Sequence, residues 1–210
     1  MAERKDTYHH PNLREALIQE TEKMLAGCQL DSITLQELGL RLGVTRSAPY
    51  RHFASKNLLL CAVATRACGC FRGLLHAVRT QTGLPPEARL RQMVMTYFSF
   101  ALENPDRYRL LFREPLVGEN QTPELAESRA RSFTELLLML EECQSAGVTR
   151  QDDKERQALF VWSTMHGMSS LLVDKHLQLA EGEGNCLAFL CDSILRGLEV
   201  STQPLGGIGG

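Results

Sequence analysis

The chain has 210 residues, of which 43% are hydrophobic, and a formal net charge of −2. That length allows one large domain or two small ones and is enough to bury a substantial core. Taken over the whole chain, the charge argues against a nucleic-acid partner, so any such role has to come from how the charge is distributed.

The first ten residues are polar and expected to be mobile, with His9-His10 solvated rather than metal-bound. The start Met1-Ala2-Glu3-Arg4-Lys5-Asp6 does not look like a secretory leader. A first helix is expected over about 11–26, with Leu13, Ala16, Leu17, Glu20, Met24 and Leu25 largely on one face. Pro11 suits its start and Gly27 its end.

The next stretch reads as helix, tight turn and second short helix. Thr34 is placed as an N-cap, and Glu37 three residues on completes a capping box. Leu35, Leu38 and Leu42 recur at helical spacing, and Gly43 ends the helix because glycine accepts a left-handed backbone. Thr45 is expected to cap the second helix, with Pro49 in its first turn. Ala48 is small enough to face the first helix closely. Arg46, Ser47, Tyr50, Arg51 and His52 are left pointing outward. This is the pattern of a DNA-binding helix-turn-helix whose second helix enters the major groove. Leu38 to Pro86 holds no Asp or Glu but carries Arg41, Arg46, Arg51, Lys56, Arg66, Arg72 and Arg79. Such a locally basic stretch on a mildly acidic chain predicts a DNA-binding face.

Ser55 can cap a long helix over about 56–80, whose N-terminus and Lys56 suit a phosphate. Gly83-Leu84-Pro85-Pro86 is the clearest boundary signal. Helices are then expected over about 87–103, 105–112, 124–145, 152–180 and 186–199, the last capped by Asn185. Residues 181–184 read as a flexible break, and 201–210, with Pro and four Gly, as a disordered tail. No strand alternation appears, so the expected fold is all-α with roughly nine helices. No apolar run is expected to reach the roughly 20 residues that span a bilayer.

The seven cysteines are Cys28, Cys61, Cys68, Cys70, Cys143, Cys186 and Cys191, mostly inside apolar helical patterns. Their odd number and placement suggest free thiols in a reducing cytoplasm. No Cys-x-x-Cys pair occurs, and Cys68-Gly69-Cys70 has the wrong spacing for a common zinc site, so no metal or cofactor is assigned. Cys68-Gly69-Cys70 could form a thiol redox switch, but the expected reading is inert, buried thiols.

From about Arg14 to Cys61 the sequence resembles the TetR (TetR/AcrR) family of one-component transcriptional regulators. The resemblance rests on Thr34-Leu35-Gln36-Glu37-Leu38, Leu42-Gly43-Val44, and above all the run Tyr50-Arg51-His52-Phe53-Ala54-Ser55-Lys56. It implies a DNA-binding three-helix domain at 1–56, a helical ligand-binding and dimerisation domain at 57–200, and backbone contacts from Tyr50 and Lys56. The implied partners are a double-stranded operator, a small-molecule effector and a second copy joined through the last two helices, with no membrane. Leu159, Trp162, Leu187, Leu190, Ile194 and Leu198 are candidates for that seam or for the core beside it. Thr34, Thr45, Arg46, Ser47, Pro49, Tyr50, Arg51, His52 and Lys56 are the expected DNA-site residues. Two positions depart from the family pattern: Gly39, where alanine is usual, and Asn57, where an acid is common.

Trp162, His166 and Gly167 resemble a Trp-x-x-x-His-Gly signature of a subset of the family. Tyr97, Phe100, Tyr108, Phe112, Phe133, Trp162, Met165 and His166 are the candidate lining of an apolar ligand pocket, with plain core packing as the alternative for each. For His166 the alternative is a hydrogen bond to a backbone carbonyl. The leading expectation is a repressor, not an enzyme, that binds a palindromic operator as a homodimer and is released by a small, largely apolar ligand. A transcriptional activator, a ligand-independent DNA-binding protein and an enzyme on a helical scaffold are the alternatives. Against the last, the chain offers no nucleophile elbow, phosphate loop or metal-ligand cluster.

Overall fold

The computed structural model describes residues 12–25, 32–112, 116, 120–178 and 184–199. These residues form α-helices and short 3₁₀ turns, with no strand among them. The helices are α1 (Leu13–Leu25), α2 (Leu35–Arg41), a 3₁₀ helix (Pro49–Arg51), α3 (Lys56–Arg79), α4 (Pro86–Glu103), α5 (Pro105–Phe112), α6 (Pro123–Ser145), α7 (Lys154–Val173) and α8 (Gly184–Leu198). The expected mobile start, the tail from 201, Gly27, Cys28 and the break at 181–183 lie outside the described residues.

The chain forms two compact units, each discontinuous in sequence. One contains Met1–Gly69 and Asp106–Arg129, the other Cys70–Pro105 and Ala130–Gly210. Along α3 the boundary between the two units falls between Gly69 and Cys70.

In the first unit α1, α2 and the 3₁₀ helix pack on one another. Leu17, Ile33, Leu38 and Leu59 are fully buried there, and Phe53 nearly so. Each such side chain contributes about 1.5–3 kcal/mol of burial. Arg14 stacks its guanidinium 5.2 Å from the centre of the Phe53 ring, pinning α1 to the end of the helix-turn-helix. In the second unit α4 packs against α7 and α8, and α7 against α8. Leu90, Met93, Tyr97, Phe98, Met139, Val161, Ile194 and Leu198 form its core.

Three expectations about helix ends need correction. The capping box at α2 is only half made. Thr34 Oγ1 accepts the Glu37 N–H at 3.1 Å, but the Glu37 carboxylate accepts from Arg41 Nε at 3.0 Å, an i,i+4 pair. Thr45 does not cap the second helix. Its hydroxyl lies 3.4 Å from Ser47 Oγ, while the residue before the 3₁₀ helix, Ala48, makes no side-chain cap. Finally, α7 stops at Val173 rather than near 180. Lys175 turns left-handed at φ 59°, and the Ser170, Leu171 and Leu172 carbonyls are taken by Asp174, Leu177 and Lys175. No glycine marks this stop, so the sequence hides it.

The expectation that no run is apolar enough to cross a bilayer also fails by length and composition, because the 24-residue α3 is. Arg66 and Arg72 interrupt it and hide its apolar character in the sequence. Leu59, Leu60, Val63, Ala64, Ala67, Phe71, Leu75 and Val78 on one side of it are buried in this fold, while Leu58 and Leu74 are exposed.

Candidate nucleic-acid interface

The turn of the helix-turn-helix is built by Gly43, at φ 67°. Its N–H bonds the Leu40 carbonyl at 3.1 Å, and the Val44 N–H bonds the Gly39 carbonyl at 2.9 Å. That pair of bonds is a Schellman closure, which a β-carbon at position 43 would strain.

The second helix is shorter and tighter than expected. Pro49 has no N–H to close an α-turn, so Ala48 bonds back to Thr45 and Arg51 to Ala48 in 3₁₀ fashion. Pro49, expected among the DNA-site residues, is buried. It packs on Gly39, where an added β-carbon would sit 3.1 Å from Pro49 Cγ and 3.4 Å from the Thr45 carbonyl oxygen. The close approach to α2 is thus made by Gly39 and Pro49 rather than Ala48. This gives the unusual glycine a physical reason.

In Gly39→Ala, alanine should gain about 1 kcal/mol of helix propensity, but here the contact with Pro49 cancels much of it. Pro49→Ala should restore the gain, giving a coupling of about 0.5 kcal/mol or more in a denaturant double-mutant cycle. Strict additivity would show that the two residues do not constrain each other.

Around this scaffold Thr34, Thr45, Arg46, Ser47, Arg51 and His52 are exposed, as is Tyr50 at 46%. Lys56 is half-buried at the first position of α3. That helix is capped as expected, Ser55 Oγ accepting the Leu58 N–H at 3.2 Å.

The acid-free stretch does not form one basic face, because acids from elsewhere meet most of its arginines. Arg41 pairs with Glu37 and Glu20, and Arg66 with Glu15 and Glu22. Arg72 and Arg79 pair with Glu135, and Arg79 also with Glu142. Hydrogen bonding to Arg66 holds the Glu15 carboxyl below the ordinary range. The arginines of that set that stand outside these pairings are Arg46 and Arg51, both beside the turn.

In the second unit, part of the expected pocket lining comes together. Tyr97 stands edge-on to Trp162 at 5.8 Å and to Phe71 at 5.4 Å. Trp162 meets Phe133 at 5.5 Å, and Phe71 meets Phe100 at 4.7 Å. The Tyr97 hydroxyl is 3.2 Å from His166 Nδ1, which gives this imidazole a side-chain partner. Burial pushes the His166 imidazole below its ordinary value, which keeps it neutral near pH 7. Met165 is buried. Tyr108 and Phe112 belong to the first unit, their ring centres 5.0 Å apart and tilted. Phe71 is missing from the expected lining, since a lone aromatic in a long apolar helix carries no distinguishing signal. A cleft of about 340 Å³ in the second unit is lined by Glu87, Leu90, Gly147, Val148, Thr149, Leu195 and Glu199 and shares none of the aromatic residues.

Of the proposed seam residues, Ile194 and Leu198 are core and Leu159 is 61% exposed. Trp162, Leu187 and Leu190 are half-buried. Phe160, Leu171 and Phe189 are also exposed, and sequence reasoning does not single them out. Cys68 is buried and its thiol pushed up to about 11, whereas Cys70 is exposed. Among the described residues no group of three or more His, Cys, Asp or Glu side chains could hold a metal ion.

An N-terminal helix-turn-helix joined to a helical second unit defines the class of helical DNA-binding regulators. Comparison with known proteins narrows this. The family described as "Tetracyclin repressor-like, C-terminal domain" matches residues 90–194. The chain belongs to the TetR family of transcriptional regulators.

It is 35% identical over 88 residues to the transcriptional activator FasR of Mycolicibacterium smegmatis, covering 41% of this chain and 39% of that one. It is 26% identical over 109 residues to the uncharacterized regulator YerO of Bacillus subtilis, covering 51% and 38% respectively. The matched stretches thus span about two fifths of these relatives. A solved structure of a protein of unknown function from Rhodococcus sp. RHA1 superposes with a TM-score of 0.81 at 26% identity, covering 93% of this chain and 100% of that one.

Proposed function

We propose that this regulator is a cytoplasmic, non-enzymatic repressor that binds a palindromic operator as a homodimer and leaves it when a small, largely apolar ligand binds. In this reading 1–56 is the DNA-binding part and 57–200 the ligand-binding and dimerisation part. The observation that carries it is the exposed row Arg46, Ser47, Tyr50, Arg51 and His52 around the rigid Gly39–Pro49 contact. Arg46, Ser47, Tyr50 and Arg51 face bases or phosphates, and Thr34, Thr45, His52 and Lys56 position the protein on the backbone. Pro49 acts by setting the angle of the helix.

The exposed apolar side chains Leu159, Phe160, Leu171 and Phe189 on α7 and α8 support pairing of two copies. The aromatic group around Trp162 and His166 supports an apolar effector and the Trp-x-x-x-His-Gly subset. Release requires that the ligand favour the state in which the two helix-turn-helix units no longer match two successive major grooves.

Sedimentation tests the assembly. Two chains per particle are expected in free solution, and two per duplex with DNA from upstream of the protein's own gene. A monomer in both conditions would overturn the homodimer reading. Activation in place of repression is the second reading, favoured by the similarity to the activator FasR. Transcription in a strain lacking the gene separates them: transcript levels rise for a repressor and fall for an activator.

A further inference from the structure

We propose that Asn57 is a clasp that fastens the DNA-facing start of α3 to the segment leading into α6, so that the two move as one piece. The proposal rests on the reading that this start faces phosphate.

The Asn57 side-chain amide donates to the Asn120 carbonyl at 2.8 Å. The Cys61 thiol reaches the same carbonyl at 3.7 Å. Two turns further along, Ser128 Oγ donates to the Thr65 carbonyl at 3.3 Å. Residues 57, 61 and 65 lie on one stripe of α3, because i and i+4 share a helix face. Arg129 on α6 reaches residues on both sides of Asn120 in sequence. Its guanidinium donates to the Leu116 carbonyl at 2.7 Å, to Gln121 Oε1 at 2.9 Å and to the Leu111 carbonyl. Thr122 then caps α6 through the Leu125 N–H at 3.3 Å. All of these groups belong to the compact unit that contains the helix-turn-helix.

The chemistry explains the residue. A carbonyl oxygen needs a donor, and the asparagine amide supplies one. An aspartate or glutamate at 57 would set a carboxylate against that oxygen. An acidic side chain could still serve a helix N-terminus, but it could not hold this segment. Asn57 is therefore a positioning residue: it links the first turn of α3, where Lys56 sits, to the backbone that precedes α6.

Hydrogen exchange read by mass spectrometry tests the link in the full chain. Without DNA, amides around 120–126 should exchange about fivefold faster in Asn57→Ala than in wild type, the scale of one hydrogen bond. Asn57→Gln, which keeps the donor, should recover part of the protection, and Asn57→Asp should lose at least as much as alanine. Adding duplex from upstream of the protein's own gene should slow exchange over 46–56 in every variant. It should slow 120–126 only in wild type and Asn57→Gln. Equal exchange at 120–126 in wild type and Asn57→Ala would overturn the clasp. No protection of 46–56 in wild type would instead count against the DNA reading, and the DNA-free comparison would still judge the clasp.

Discussion

Arg46→Ala and Arg51→Ala should each weaken operator binding by a factor of tens to tens of thousands. A base or phosphate contact of this kind is worth about 1–3 kcal/mol, and a homodimer makes it twice. Both side chains are exposed, and both stand outside the ion pairs that neutralise Arg41, Arg66, Arg72 and Arg79. Their removal should therefore leave the melting temperature almost unchanged, since exposed charges contribute little to stability. Lys56→Ala should act differently. Removing one phosphate interaction lowers the slope of log affinity against log salt by about 0.9, so a homodimer should lose about two units with little change in sequence preference. Titrations at several salt concentrations, with the upstream duplex and a scrambled one, check both expectations. Equal losses for all three variants on both duplexes would mean that none of these residues reads bases.

Glu135→Gln should be among the most destabilising single substitutions in the chain. Glu135 is only 5% exposed. Its carboxylate takes Arg79 Nε at 2.8 Å, His76 Nδ1 at 3.2 Å and Arg72 Nη1 at 3.5 Å. Arg79 continues to Glu142 at 2.9 Å, and Glu142 takes Arg89 at 2.6 Å. Removing the central carboxylate leaves a largely buried guanidinium facing a neutral amide. Breaking such a pair from one side costs about 3–5 kcal/mol, or roughly 10 °C of melting temperature for a chain of this size. By contrast, Arg91→Ala breaks a half-exposed pair with Asp192 and should cost about 1 kcal/mol at most.

The same carboxylate sets an acid limit. Burial alone would raise the Glu135 carboxyl, but the hydrogen bonds from Arg79 and His76 outweigh it and hold it below the ordinary range. A depressed carboxylate adds stability that is fully present above the unfolded value, about 4.3. That stability drains away as pH falls from there through the folded value. Thermal melts from pH 7 to 3 should show wild type losing stability below about pH 4.5, with a shallower loss in Glu135→Gln. Parallel curves would contradict this account of the cluster.

The helix-turn-helix is legible because its signals are local. A threonine cap, an i,i+4 apolar stripe and a left-handed glycine are each written within a few residues, and Gly43 sits where the pattern places it. Pairing between distant residues is not legible. Nothing near Arg66 or Arg79 in sequence announces Glu15 or Glu135, so the acid-free stretch looks more basic than its folded surface is. Pro49 looks like a helix starter and proves also to be a packing residue, because its partner Gly39 lies ten residues back. Asn57 is visible only as a departure from a pattern, and its partner at position 120 supplies the reason. In the second unit the sequence offers aromatic residues at helical spacing, and only the fold shows that Tyr97 stands edge-on to Trp162.

The most direct measurement is selection of binding sites from a randomised duplex by the purified protein. The expected result is a palindrome with half-sites about one helical turn, 34–36 Å, apart, lost when Arg46 and Arg51 are replaced by alanine. No preferred sequence, with the folded protein intact, would contradict the claim that this chain reads DNA.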